Sequence, residues 1–238
     1  MSAVFTLTVR QLAGSRRWWL VLGLAALPIL AAALFRVAET TTTPREYADD
    51  ITASLVASAI LPLVMLLLGV ATFGNEVSDR TLVYLTAKPL ARWRIVLPKL
   101  AATLLVGGVP VAVSGAFAIA LIEQGDMRGV LATAGGLLAG AAAYAAIFTW
   151  AGLALRHALV AGLVYVFVWE AVLAAYLDGI RFLSVRRFAL AVVHALDAER
   201  LATVDVTLSA GAGIVGVTLV IAGFALLAVR RLRRMDVP

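Results

Sequence analysis

The sequence contains no cysteine and only two histidines, His157 and His194. Disulfide bonds and thiolate metal sites are therefore excluded, and a histidine metal cluster is excluded as well. Charged residues make up only 14% of the chain, against about 25% in soluble domains. The sequence also has no G-x-x-x-x-G-K-[ST] segment, so it offers no phosphate-binding loop for a nucleoside triphosphate. These absences leave few routes to an enzyme.

Apolar residues dominate what remains. They make up 63% of the chain, and the mean hydropathy is +0.99. Several apolar runs approach or exceed the roughly 18 residues typical of a membrane span. Within a bilayer the backbone polar groups must be satisfied inside each segment, so runs of this length indicate helices. The alternation at every second residue that marks a membrane strand is missing. We predict an all-α integral membrane protein with a single transmembrane domain over residues 1–238.

The positions of the apolar runs predict about six transmembrane helices. Residues 4–17 precede them as a weakly amphipathic segment, which we expect to lie on the membrane surface as an interfacial helix. Residues 39–50 form an outer loop, and residues 178–206 form a longer mixed outer segment. The predicted spans cover about 18–37, 51–73, 95–122, 129–155, 158–177 and 207–229.

The distribution of basic residues predicts the orientation. With six spans and an inner N-terminus, 13 of the 20 Lys and Arg residues fall on the inner side, as the positive-inside rule requires. An odd number of spans would place the basic 230–234 segment outside. We therefore expect a multi-pass protein of the plasma membrane with both termini cytoplasmic. The net charge of +6 reflects these loops, and we expect no nucleic-acid partner.

The charged stretch at residues 74–100 carries the strongest functional pattern. Residues 76–86 can form a helix, since Glu76 and Arg80 stand four apart in the favourable order. Pro89 ends this helix because it lacks an amide hydrogen and clashes with the preceding turn. Such a short cytoplasmic helix suits docking into the groove of another protein. A solvated loop held at the membrane surface by its basic side chains is equally compatible with these features.

The same stretch resembles a known family. The pattern is an acidic residue, an Arg-Thr-Leu run, an apolar position, a proline, an arginine and a lysine that opens the next span. It is formed here by Glu76, Asp79, Arg80, Thr81, Leu82, Leu85, Pro89, Arg92 and Lys99. It resembles the permease subunits of ATP-binding-cassette transporters of the second export class, and the layout is similar over nearly the whole chain. Two positions depart from the family pattern, because Arg80 stands where many members have Gly and Pro98 stands where Gly often precedes the lysine.

The resemblance implies a division of labour between subunits. Two permease chains, identical or different, would pair to form a pathway, and each would dock one cytoplasmic ATP-binding subunit. This chain would bind no cofactor itself, because ATP and magnesium would sit on the partner ATPase. The 76–86 helix would be the coupling helix, and the 178–206 segment would fold as short re-entrant helices. The predicted ATPase-coupling residues are Glu76, Asp79, Arg80, Thr81, Leu82, Leu85, Pro89 and Arg92.

One ionisable residue within a predicted span is a second candidate. Glu170 lies beyond the middle of the fifth span, where a carboxylate is costly and suggests a role in lining the pathway. The alternative is a structural pair with an outer arginine such as Arg181 or Arg36. No sequence pattern identifies the cargo.

We expect membrane lipid to surround the chain. Two other classes of protein are alternatives to an export permease. A stand-alone secondary transporter or channel should show internal repeats with matching broken spans, and no convincing repeat is present. A membrane-embedded enzyme should bring acid, base or metal ligands together at one depth, and the sequence shows no paired intramembrane carboxylates.

Overall fold

The fold is a bundle of helices, seen in a computed structural model that describes residues 2–37, 41–78, 91–173, 183–201 and 208–234. All regular structure in these ranges is helical, which confirms the predicted all-α class. Helix α1 covers Ser2–Ala13 and α2 covers Arg17–Val37. Three consecutive pieces, Pro44–Asp50, Ile51–Ile60 and Leu61–Ser78, form α3, and Trp93–Thr103, Leu104–Gly108 and Val109–Ile122 form α4. The remaining helices are α5 (Met127–Ala154), α6 (Ala158–Val164 followed by Tyr165–Leu173), α7 (Val185–Leu196) and α8 (Ala210–Arg234).

Five of these helices are long and apolar enough to cross a membrane. They are α2, the Pro44–Gly74 part of α3, α4, α5 and α8. The fifth predicted span, about 158–177, corresponds to a shorter apolar helix over Ala158–Glu170. The last residues of this predicted span, 174–177, lie outside the described ranges. The structure therefore shows five full-length candidate spans and one shorter one.

Helix α3 begins earlier than the sequence analysis predicted. Residues 39–50 were expected to form an outer loop, but the helix starts at Pro44. Thr43 caps this start, since its hydroxyl accepts the Glu46 amide while the Glu46 carboxylate accepts the Thr43 amide. Pro44 is at the first helical position, where its fixed φ favours the helix and its missing amide hydrogen costs nothing. A capping box is a local signal that a hydropathy reading overlooks.

Two prolines within the long helices, Pro62 and Pro110, follow wider turns, whereas Pro28 and Pro98 lie in α-helical pieces. The piece Ile51–Ile60, directly before Pro62, and the piece Leu104–Gly108, directly before Pro110, both have π-type hydrogen bonding. A proline clashes with the carbonyl of the preceding turn and donates no hydrogen bond to it. Local π-type turns relieve that clash and reassign the freed carbonyls, so the helices continue through the bilayer.

Helix α5 lies at the centre of the bundle, and its glycines set the distances to its neighbours. The small-residue face at Gly136 and Gly140 contacts α7, where a Cβ at Gly140 would stand 2.7 Å from the Cβ of Ala189. At the other end of α5, a Cβ at Gly152 would stand only 2.6 Å from the Val70 carbonyl oxygen of α3. Only glycine permits such approaches between backbones.

The two ends of the bundle carry opposite charge. We call one the basic end; it brings together the start of α2, the end of α3, the start of α4, the end of α5 and the end of α8. An apolar cluster that includes Phe73, Ile95, Leu153 and Leu232 joins the ends of α3, α4, α5 and α8, and α1 packs beside the first turns of α4. The other, which we call the acidic end, comprises residues 43–50, 122–129 and 196–201. It contains an extensive set of ion pairs.

Candidate functional site

A buried lysine at the basic end joins α3 to α4. The Lys99 side chain is 1% exposed, and its Nζ lies 2.7 Å from Oε1 of Glu76 and 2.7 Å from the carbonyl oxygen of Thr72. Nζ also lies 4.7 Å from the centre of the Phe73 ring, a cation–π arrangement. A buried ammonium is costly unless it is paired and hydrogen-bonded, and Lys99 has both kinds of partner.

A second pair of polar side chains lies one helical turn deeper. The hydroxyls of Thr72 and Thr103 are 2.7 Å apart. A carbonyl of its own helix also lies within reach of each, Leu68 at 2.8 Å from Thr72 and Lys99 at 2.9 Å from Thr103, so one hydroxyl donates to the other and the second donates to its carbonyl. With the Lys99–Glu76 pair they form a continuous polar contact between the two helices that flank residues 79–90. The two flanks of that segment are therefore held together.

The structure describes only part of the predicted coupling motif. Glu76 lies near the end of α3, whose last piece covers Leu61–Ser78. Residues 76–78 of the predicted 76–86 helix therefore belong to α3. Arg92 lies directly before α4, and its carbonyl accepts the amides of Ile95 and Val96. The other predicted coupling residues lie outside the described ranges; they are Asp79, Arg80, Thr81, Leu82, Leu85 and Pro89.

Glu170 lies in a closed polar pocket within the bundle. Its side chain is buried, and Oε1 accepts hydrogen bonds from the Tyr165 hydroxyl at 3.0 Å and from the Val185 amide at 2.9 Å. Oε2 accepts the Ser184 hydroxyl at 2.5 Å. Ser184 caps α7 through the Arg187 amide, so the carboxylate faces the first turn of that helix, where the dipole favours negative charge. Of the two arginines considered from the sequence, Arg36 is not among these donors, and Arg181 lies outside the described ranges.

A buried arginine organises the acidic end. Arg200 is 1% exposed, and its guanidinium contacts three carboxylates from two other parts of the chain. Nη1 lies 3.2 Å from Asp49 and 3.0 Å from Glu123, while Nη2 lies 3.1 Å from Glu123 and 3.0 Å from Asp126. The other oxygen of Asp49 accepts the amide of Leu201. One side chain therefore fixes the start of α3 and the turn between α4 and α5 to the segment after α7.

The charge balance of this cluster is uneven, with three carboxylates around one guanidinium. Burial raises the pKa of Glu123 above its ordinary value, and the nearby Asp126 adds to that effect, although Arg200 opposes it. Within the described ranges no group of His, Asp or Glu side chains is arranged to hold a metal ion. The cluster is thus an intramolecular clamp centred on Arg200.

At least two cavities open between the described helices. An apolar one of about 400 Å³ lies between α5, α6 and α8, lined in part by Trp150, Tyr165 and Phe224. The other, of about 370 Å³, lies between α3 and α6 and includes polar side chains from α3 and α7. Sequence analysis predicted neither, because each is formed by residues far apart in the chain.

Long apolar helices with charge-segregated ends and polar contacts buried between them define a polytopic membrane protein. A family model of the ABC-2 family transporter proteins matches residues 15–169, about two thirds of the sequence. The chain belongs to this family, and it is a transmembrane permease of an ABC transporter. A search of curated proteins finds no match. The family membership confirms the resemblance drawn from the sequence pattern, and a permease of this family is not itself catalytic.

Sequence reasoning found part of the site. Glu76 and Lys99 both belong to the recognised pattern, but nothing in the sequence showed that they pair. Arg200 was placed in an outer segment without any assigned partner. The available signal was the presence of acidic residues in the predicted 39–50 loop and between the third and fourth predicted spans. That signal was too general to identify the clamp.

Proposed function

We propose that this chain is the permease subunit of an ATP-driven exporter. It pairs with a second permease chain, and each of the two docks one cytoplasmic ATP-binding subunit. ATP-driven movement of those subunits acts on the segment between α3 and α4, and the bundle converts that movement into alternating access of the pathway. The family membership supports a permease role, and the geometry at the basic end supports the coupling role.

The observation that carries the coupling proposal is the Lys99–Glu76 contact. It ties the last turns of α3 to the first turns of α4 on both sides of residues 79–90. A displacement of that segment therefore moves both helices together. Helix α1 packs beside the first turns of α4, so it adds a second surface next to the same place.

The charge of the two ends supports the proposed orientation. Arg16, Arg17, Arg94, Arg156 and the 230–234 segment lie at the basic end, which the positive-inside rule assigns to the cytoplasm. Residues 14–17 and 230–234 both belong to this end, so both termini are cytoplasmic and the number of crossings is even. In this proposal the span predicted at about 158–177, to which the shorter apolar helix Ala158–Glu170 belongs, is the sixth crossing.

The decisive experiment is affinity purification of the tagged chain in mild detergent, followed by mass identification of its partners and an ATPase assay. We expect a soluble ATP-binding subunit at a ratio near one to one. Arg80→Glu and Leu85→Asp variants should retain insertion and pairing but lose transport coupled to ATP hydrolysis. The matched control is Arg128→Gln, which changes an exposed arginine at the acidic end. This variant should behave as the wild type.

A chain that purifies alone and without ATPase activity would instead support a stand-alone transporter or channel. Normal coupling in both variants would contradict the assignment of the coupling segment while leaving the permease class intact. The role of Glu170 in lining the pathway stays a prediction. Its three hydrogen bonds to Tyr165, Ser184 and Val185 support a structural role at the start of α7.

A further inference from the structure

The cavity of about 400 Å³ between α5, α6 and α8 is lined by hydrocarbon and aromatic side chains. Among the residues that the structure describes, no charged side chain lies in this lining, and its one hydroxyl, that of Tyr165, donates to Glu170. The rings in the lining belong to Phe148, Trp150, Tyr165, Trp169 and Phe224. A bound water needs two or more polar partners. These walls therefore favour an apolar guest.

The cavity extends from the basic end toward the middle of the bilayer. Leu155, directly after the end of α5, lines the part nearest the basic end, and Ile147 lines it eight residues earlier on the same helix. Eight residues of helix correspond to roughly 12 Å. One leaflet takes up half of a hydrocarbon layer that is about 30 Å thick. The length of the cavity therefore matches the depth of the leaflet at the basic end.

The cavity opens sideways, between α6 and α8. Both helices pack against α5, but in the described ranges they make few close contacts with each other. The lining keeps exposed surface on both sides, at Ala161 of α6 and at Phe224 of α8, which is half-buried. Beside the opening, Val164 and Leu219 present exposed apolar side chains. A slot between two such helices can admit a hydrocarbon chain directly from the surrounding bilayer.

Basic side chains stand at the end of the cavity that is nearest the membrane surface. Arg156 follows Leu155 directly, and Arg231 lies seven residues after Phe224, two turns further along the same face of α8. Both arginines are exposed. Arginines at the membrane surface attract anionic lipids, and a guanidinium can bind phosphate oxygens in pairs. They stand where the headgroup of a lipid would lie if one of its chains occupied the cavity.

We propose that this cavity binds one acyl chain of an anionic phospholipid from the leaflet at the basic end. The chain fills the space between α6 and α8, and the phosphate of its headgroup binds Arg156 and Arg231. The bound chain replaces the direct packing that these two helices lack, so the lipid stabilises the bundle. This inference does not depend on the proposed export function.

The first test is the lipid-dependent thermal stability of the purified full chain in a neutral maltoside detergent. Phosphatidylglycerol is the probe, and phosphatidylcholine with the same acyl chains controls for the headgroup. We expect phosphatidylglycerol to raise the Tm because it binds preferentially to the folded state. Ala161→Phe should abolish this rise, since its ring would occupy the cavity. Val160→Phe, the matched control, changes an exposed neighbour outside the lining and should respond as the wild type.

The headgroup contacts are tested by the apparent affinity for phosphatidylglycerol in the same assay. Arg156→Gln and Arg231→Gln should each weaken it about fivefold, the factor expected for one basic group at an anionic surface. Arg16→Gln is the matched control. It removes an exposed arginine of the basic end that precedes α2, a helix that does not line the cavity, and it should bind as the wild type.

Tryptophan fluorescence locates the chain, and it does so independently if Ala161→Phe does not fold. Trp150 lines the cavity, so a variant that retains only this tryptophan reports on its occupant. Bromine atoms on an acyl chain quench a tryptophan that they contact. In phosphatidylcholine nanodiscs, a small fraction of brominated phosphatidylglycerol should quench Trp150 more strongly than the same fraction of brominated phosphatidylcholine.

Four results would overturn the proposal. Equal stabilisation by the two phospholipids would show that the headgroup is not selected. An undiminished rise of Tm in a folded Ala161→Phe variant would place the lipid elsewhere. Equal quenching of Trp150 by the two brominated lipids would mean that bulk lipid enters the slot. Equal stabilisation by dodecanol would assign the cavity to a neutral apolar molecule. None of these measurements needs the ATP-binding subunit, so failure here leaves the permease proposal to its own test.

Discussion

The ammonium of Lys99 lies 2.7 Å from the carboxylate of Glu76, although 23 residues separate the two in the chain. The lysine side chain is 1% exposed and the glutamate side chain 18% exposed. The pair is therefore partly protected from water. An ion pair that is shielded in this way is screened less by the solvent, and the loss of one partner costs more. This contact closes the base of the segment that we propose couples ATP hydrolysis to transport.

Lys99→Met should destabilise the protein by about 3 kcal/mol, because it leaves a partly buried carboxylate and the Thr72 carbonyl without their cation. Arg94→Met, on the same helix but exposed, should cost less than about 1 kcal/mol, since it loses only a surface contact with Trp93. Unfolding in detergent measures both. A double-mutant cycle with Glu76→Gln should show positive coupling, and additive effects would mean that the two residues act independently.

Removing Arg200 should be the most damaging single change at the acidic end. Arg200→Met leaves the carboxylates of Asp49, Glu123 and Asp126 close together without a counter-charge. We expect a loss of about 3–5 kcal/mol in the free energy of unfolding. The matched control is Arg45→Met, which breaks only the exposed pair with Glu199 and should cost at most about 1 kcal/mol. Similar losses in both variants would show that the clamp does not stabilise the bundle.

Glu123 should make the stability of the protein depend on pH. Burial raises the pKa of Glu123 in the folded protein, so the folded state binds its proton more tightly than the unfolded state. Stability from this group is then greatest at acidic pH and is lost as the pH rises through the raised pKa. Subtracting the unfolding free energy of Glu123→Gln from that of the wild type isolates this contribution. The difference should fall with rising pH; a difference that rises would mean that the charged form is the favoured one.

The close approach of α5 to α3 can be tested with glycine substitutions. Gly152→Val would place side-chain atoms where the Val70 carbonyl already lies, because even a Cβ would stand 2.6 Å from that oxygen. We expect a lower Tm and poor assembly. Gly223→Ala serves as the control, since no atom lies within 4 Å of its added Cβ and alanine favours helix by about 1 kcal/mol. Equal Tm values in the two variants would show that α3 and α5 can separate without cost.

The sequence was informative where a feature depends on neighbouring residues. Apolar runs located the long helices, and the pattern from Glu76 to Lys99 led to the family that the comparison confirms. The early start of α3 at Pro44 was missed even though its signal, the capping box of Thr43 and Glu46, is local. Hydropathy alone assigns such polar residues to a loop.

Contacts between distant residues could not be predicted in this way. Asp49 and Arg200 are 151 residues apart, and no periodicity relates them. The sequence singled out Glu170 as an ionisable residue within a span, but the donors that surround it come from its own helix and from the start of α7. Arg186 was assigned to an outer segment because a mixed, basic stretch of sequence does not reveal that its helix packs inside the bundle.

The sequence by itself determined that this chain is a helical membrane protein, where its long helices run and which family it belongs to. The physical reason is that transfer into a bilayer depends on the composition of each segment, and segments are contiguous in the chain. Only the tertiary structure decided which charges are paired, Lys99 with Glu76 and Arg200 with its three carboxylates. Pairing depends on distance in space, and helices that meet in a bundle bring together residues that their order in the chain keeps apart.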